Sequence, residues 1–413
     1  QWQLNAAQAE ALSLAYGTDL VHLIQGPPGT GKTRVLAYLA QLLAEDGERV
    51  LITGFTHRAI NQALNTLADN VAREDAPLTL AKIGHHVHVH DLRAANYASF
   101  HDSPLADLSG GYVIGATPFA TRSKRLAGVE FDTVIFDEAS QITLPLAVMG
   151  MLPARRTIFV GDHRQLPPVL TSRYGATALR ESVFAALIDQ GFDTMLEESY
   201  RLNAALVAWP SQQFYDGQLR AAEVARQRRV IYPRPPARLQ HILDPDAPKV
   251  FVDLGHQNAT TRSPAEADLT VALIATLLEC DFPAAQIGVV VPFRNQARLI
   301  RNQLATAVPQ AATRRALVVD TVERMQGQER DLIIVSLTDS SPGFIALVAD
   351  FLLQPERINV AITRPRVKLI ILGSRHLLRS KLPDPDQQAM VDLLADLVQS
   401  CTWRSAQWGG GHG

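Results

Sequence analysis

The sequence predicts an α/β protein with parallel sheets, arranged in two blocks. Three observations predict it. Short apolar runs alternate with longer helical patterns, the runs are apolar nearly throughout, and they form two sets separated by an irregular Pro- and Arg-rich stretch. A strand covered by helices on both faces has no solvent side. It therefore reads as a continuous apolar run rather than an alternating one.

The first set comprises Val21–Gln25, Val50–Gly54, Val134–Phe136 and Thr157–Val160, with a helical pattern over Lys32–Ala44. The break between blocks falls within Glu197–Asn203, and the irregular stretch covers Arg220–Arg238. The second set comprises Ile287–Val291, Leu317–Asp320, Leu332–Leu337 and Leu369–Leu372, with a helical pattern over Ala267–Leu278. From Lys381 the tail reads as one helix and then a loose Gly-rich end. The expected domains are 1–198, 199–380 and a tail over 381–413.

Composition narrows the function classes. An apolar fraction of 47% over 413 residues fills large cores and excludes a disordered chain. No apolar run reaches the ~18 residues of a membrane span, and no signal-peptide pattern is present, so no membrane partner is expected. Cys280 and Cys401 are the only cysteines, which excludes a disulfide framework or a Cys-rich metal site and fits a reducing cytoplasm. A net charge of −2 means that any nucleic acid would be held in a local groove and not by a general positive field. The chain begins with Gln and reads as a fragment of something longer.

Two motifs carry phosphate chemistry. Gly26-Pro27-Pro28-Gly29-Thr30-Gly31-Lys32-Thr33 follows an apolar strand and opens a helix, the context a P-loop requires. Its glycines let backbone N–H groups curl around phosphates at the positive end of the helix dipole. Lys32 would reach the β- and γ-phosphates of ATP, and the Thr33 hydroxyl would ligate Mg²⁺. The second motif is Val134-Ile135-Phe136-Asp137-Glu138, a buried strand ending in two carboxylates. Asp137 would hold Mg²⁺, directly or through water, and Glu138 would deprotonate the attacking water.

With these motifs in place the chain resembles the superfamily 1 helicases from Leu4 to about Ser374. It is most similar to the branch of nonsense-mediated-decay helicases and replication helicase-nucleases. The resemblance implies two RecA-like P-loop domains with the nucleotide cleft between them. Leu4-Asn5 with Gln8 resembles the motif whose Gln reads the adenine edge. Thr53-Gly54-Phe55-Thr56-His57-Arg58-Ala59 and Gly115-Ala116-Thr117 resemble strand-contacting motifs of the first lobe, through Thr56, His57 and Thr117. The acids continue as Ala139-Ser140-Gln141, a form typical of this branch. Gly161-Asp162-His163-Arg164-Gln165 resembles the coupling motif, with Gln165 sensing the γ-phosphate.

Tyr200-Arg201 opens the second lobe. The resemblance gives Tyr200 a stacking role on the base and Arg201 a γ-phosphate contact. Pro292-Phe293-Arg294-Asn295-Gln296 resembles a strand-contacting motif carried by Pro292 and Phe293. Thr321 would bind nucleic acid, Glu329 the nucleotide sugar, and Arg364 of Asn359–Arg364 would be the arginine finger. Two departures from the family pattern stand out: Leu202 replaces Met, and Pro365 replaces Ala just after the finger, which fixes the backbone there.

The implied activity is ATP-dependent translocation, 5′ to 3′, on single-stranded nucleic acid, DNA by the helicase-nuclease flavour of the motifs. An ATP-gated clamp or an RNA remodeller uses the same motifs. A small-molecule kinase has no use for the acid pair or the finger. A nuclease domain, where present, would lie upstream of Gln1. His86, His88 and His90 would share a face if they lay on a strand, as a solvated face or as zinc ligands. The arginines of 220–238 suit a nucleic-acid path or a solvated loop equally. Trp403 and Trp408 are expected to pack the tail helix or to have met a neighbour outside these residues.

Overall fold

A computed structural model describes residues 3–74, 78–169 and 181–406. The chain divides into two compact units, Gln1–Glu198 and Ser199–Gly413. Trp408 lies outside the described residues.

The first unit is built on strands β1 (Val21–Gln25), β2 (Arg49–Gly54), β3 (Leu80–Ile83), β4 (Ala95–Tyr97), β5 (Tyr112–Gly115), β6 (Phe131–Asp137), β7 (Ala154–Gly161) and β8 (Asp193–Met195). They form one eight-stranded sheet in the order β4-β3-β5-β2-β6-β7-β1-β8, parallel throughout. Alternate side chains of each central strand enter different cores. Ile24, Ile52, Ile135 and Ile158 pack with the helices Ala6–Gly17, Lys32–Glu45 and His57–Glu74. Leu23, Leu51, Phe136 and Phe159 enter a second cluster with Leu146 and Phe184. Both faces are thus dry, which is why these strands read as unbroken apolar runs.

Two short strands, β9 (Glu198–Ser199) and β10 (Arg220–Ala221), precede the second sheet. That sheet contains β11 (Lys249–Asp253), β12 (Ile287–Val291), β13 (Val318–Thr321), β14 (Arg330–Ser336), β15 (Pro365–Gly373) and β16 (Thr402–Ser405), in the order β13-β12-β14-β15-β11-β16. It is parallel too. The helices Pro264–Glu279 and Arg294–Ala307 lend Leu273, Ile274, Leu277, Ile300 and Leu304 to the core on one face. No helix among the described residues is long and apolar enough to cross a membrane.

Two sequence expectations need correction. The tail from Lys381 holds more than the one helix, and its Gly-rich end lies outside the described residues. After the helix Pro385–Gln399 the chain returns as β16 and pairs with β11, and Trp403 packs against Phe251 at 4.8 Å between ring centres. Nor do His86, His88 and His90 share a strand face. His86–His88 is a 3-10 turn, because Asn61 Nδ2 donates to the carbonyls of His88 and His90, and Lys82 Nζ also donates to that of His88. A strand would spend those carbonyls on a ladder. No group of three metal-ligating side chains occurs among the described residues.

Candidate nucleotide and nucleic-acid sites

The P-loop leaves β1 at Gln25 and re-enters helix at Lys32. Gly29 and Gly31 stand at φ 76° and 83°, where side chains are disfavoured. A Cβ on Gly26 would collide with Lys32 Cγ, so only glycine lets the Lys32 stem cross the loop. Lys32 Nζ donates to Gly26 O at 2.6 Å. The loop is held from three sides: Thr30 Oγ1 donates to Pro27 O at 2.8 Å, Gly26 N to Gly161 O at 2.8 Å, and Gln8 Nε2 to Thr30 O at 2.8 Å. Gln8 is 1% exposed and also completes a reciprocal cap with Asn5. Its amide therefore braces the loop.

Asp137 ends β6, and Gly161 ends β7, the strand between β6 and β1. Gln25 is level with Gly161, and Gly54 is level with Asp137. The carboxyl ends of four neighbouring parallel strands thus deliver the loop, the acids and Asp162 to one edge, where open α/β sheets place ligands. Asp137 is 4% exposed. Burial, reinforced by Glu138 and opposed by Lys32, pushes its carboxyl up to about 7. Glu138 occupies the left-handed region at φ 51° and ψ 45°, a strained conformation for a side chain of this size. Gln165 Nε2 donates to Asp162 Oδ2 at 2.7 Å, and both residues are buried.

Thr56 and Phe55 are exposed just beyond β2, and Thr56 Oγ1 caps Ala59 N at 3.2 Å. His57 stacks on His88 with ring centres 4.0 Å apart. Burial, with help from Lys82, His88 and Arg125, lowers its pKa to about 4, so the ring is neutral at pH 7. Thr117 stands at the start of the short helix Pro118–Thr121, its side chain making no cap bond.

In the second unit Arg201 Nε donates to Glu329 Oε2 at 2.6 Å and Nη1 to Thr363 O at 3.2 Å. Burial opposes ionisation of Glu329, but Arg201, Arg366 and Arg364 outweigh it and hold its carboxyl below the usual range. Tyr200 O accepts from Arg228 Nη1 at 2.8 Å. Arg364 is 1% exposed. Its guanidinium donates to Val360 O, Gln328 O and Thr363 Oγ1 at 2.8, 3.4 and 3.0 Å. Pro365 opens β15 as its first residue, a position that tolerates the missing N–H. Thr321 ends β13, and Pro292 and Phe293 follow β12 directly, so these strand-motif residues leave adjacent strands.

A family described as "AAA domain" matches residues 3–231, and a second of the same description matches residues 179–376. The chain belongs to the AAA domain family. It is 30% identical to "DNA replication ATP-dependent helicase/nuclease DNA2" of Saccharomyces cerevisiae, over 95% of this chain and 27% of the relative. It is 27% identical to "DNA polymerase alpha-associated DNA helicase A" of Schizosaccharomyces pombe, over 91% and 64%. It is 28% identical to "Regulator of nonsense transcripts 1 homolog" of Arabidopsis thaliana, over 92% and 33%. The chain spans less than two thirds of the length of each of these relatives.

The structure of this AAA domain chain adds residues that sequence reading missed. Asp162 gathers the Gln165 side chain and the Arg164 N–H. Arg357 pairs with Glu323, two residues after Thr321. Asp162 sits inside a motif already singled out, so its acceptor chemistry was available to find. Arg357 gave no such signal, because its partner lies 34 residues away in sequence.

Proposed function

We propose that this chain is the motor of an ATP-dependent helicase, hydrolysing ATP to translocate 5′ to 3′ on single-stranded DNA. The observation that carries the reading is the shared edge of β1, β7 and β6, where the P-loop, Asp162 and the acid pair stand together. Lys32 and the loop amides bind the β- and γ-phosphates, and Glu138 takes the proton of the attacking water. Gln165 reports the γ-phosphate, and Arg201 and Arg364 supply transition-state charge. The donor set suits Mg²⁺: Asp137 is a buried carboxylate whose burial calls for a cation, with the Thr33 hydroxyl as the second protein ligand. Bound there, the ion offsets phosphate charge. The names of the yeast relatives support DNA as substrate. Thr56, His57, Thr117, Pro292, Phe293 and Thr321 contact the strand, mostly at phosphates and so with little sequence preference.

The test is ATP turnover with and without single strands, beside nucleotide binding. Wild type is expected to be stimulated. Lys32→Ala should lose turnover, and Glu138→Gln should bind ATP but turn over at least about 100-fold more slowly. Near-normal turnover by Glu138→Gln removes it as the base. Unstimulated turnover overturns the motor reading.

A further inference from the structure

The carboxyl ends of β13, β12 and β14 lead to Thr321, to Phe293, and to the helix Pro342–Leu352. This helix brings two aromatics against Phe293. Phe344 and Phe351 lie 6.0 and 6.1 Å from its ring centre. The two are not equivalent. Phe351 is 41% exposed, whereas Phe344 is only partly so. Beneath Phe351 lies Arg357, its Cζ 3.9 Å from the ring centre. Arg357 is itself buried and ion-paired to Glu323. A ring seated on a buried guanidinium has that face occupied, and Phe351 still keeps 41% of its surface open to solvent.

The charge near these rings is mixed: Asp350, next to Phe351 in the chain, is exposed, whereas cations follow Phe293. Arg294 and Arg298 are exposed one helical turn apart, directly after Phe293, and neither is in an ion pair among the described residues. An exposed ring packed against Phe293, which unpaired cations follow, supplies both parts of sequence-tolerant single-strand binding: bases stack, phosphates are neutralised.

We propose that Phe351, seated on Arg357 beside Phe293, is a stacking platform for a nucleobase of the translocating strand. This rests on the motor reading. The ion pair from Arg357 to Glu323 ties the platform to the short helix after Thr321, so base and phosphate contacts in this unit are held as one piece.

The test uses the full chain and a labelled homothymidine oligonucleotide, with affinity read by fluorescence anisotropy at low and high salt. Phe351→Ala and Phe351→Leu should each weaken binding about 5- to 100-fold. Phe351→Trp should hold near wild-type affinity and gain a fluorescence signal, relative to wild type, that is quenched on binding. The leucine variant keeps the apolar packing. Full affinity in Phe351→Leu, or a signal from Phe351→Trp that binding leaves unquenched, overturns the platform while the motor reading stands. If wild type binds no single strand even at low salt, the motor reading fails and the platform with it.

Discussion

Asp137 is the residue on which site and stability pull apart. Its carboxyl ordinarily titrates at 3.8 but is held at about 7 in the folded unit, mainly by burial. Between those values the folded state keeps a proton that the unfolded chain has lost. Stability therefore falls as pH rises through that window and levels off above about 7. We predict that, without nucleotide or metal, Asp137→Asn is more stable than wild type at pH 8, by on the order of a few kcal/mol, and that the difference closes toward pH 4. Thermal unfolding across that range checks it; an Asn variant less stable at pH 8 contradicts it. Asp137 itself was legible as the acid ending an apolar strand. Its burial was legible only through its neighbours, since the strands on each side had to be known to be covered.

Elements divide by how they are covered. The central strands β1, β2, β6 and β7 are dry on both faces and announced themselves as apolar runs. β3, β4, β8 and β16 are short, and β4, β8 and β16 end their sheets, so they carry little pattern. The join between elements is less legible still, because it uses buried polar groups from distant sequence. Glu266, 0% exposed at the start of the helix Pro264–Glu279, is the clearest case. It accepts from Ser336 Oγ at 2.6 Å, from Thr338 N at 2.9 and 3.0 Å, and bonds His256 Nε2 at 2.7 Å. Ser336 Oγ in turn accepts from Gln296 Nε2 at 3.1 Å, four residues beyond Pro292. Removing the carboxylate strands several buried donors at once. We predict that Glu266→Ala destabilises the second unit by about 3–5 kcal/mol. Denaturant unfolding would show it, and a loss under about 1 kcal/mol would mean that the network relaxes around the gap.

At the scale of the molecule, the inventory is split. The phosphate loop and acid pair belong to Gln1–Glu198; Arg201, Arg364, Phe293 and Thr321 belong to Ser199–Gly413. Strand contacts are proposed on both units, so a nucleotide-driven change between two states can alternate the grips. Direction follows from which unit grips more tightly in each state, a difference of affinities that no residue spacing encodes. We predict that duplexes with a 5′ single-stranded tail are unwound with ATP and Mg²⁺ and those with a 3′ tail are not. Unwinding from the 3′ tail alone reverses the polarity. Stimulated hydrolysis without unwinding from either points to an ATP-gated clamp.

Glu138 at φ 51° has a consequence for anyone improving this protein. Glycine or asparagine would occupy that backbone more comfortably than glutamate does. A selection for heat resistance would therefore enrich changes at 138, and at the adjoining buried Asp137, ahead of most others. It would do so while discarding the proposed water-activating base and metal ligand. Variants drawn from such a screen would be sturdier and inert, and sequence statistics gathered from them would point away from the chemistry.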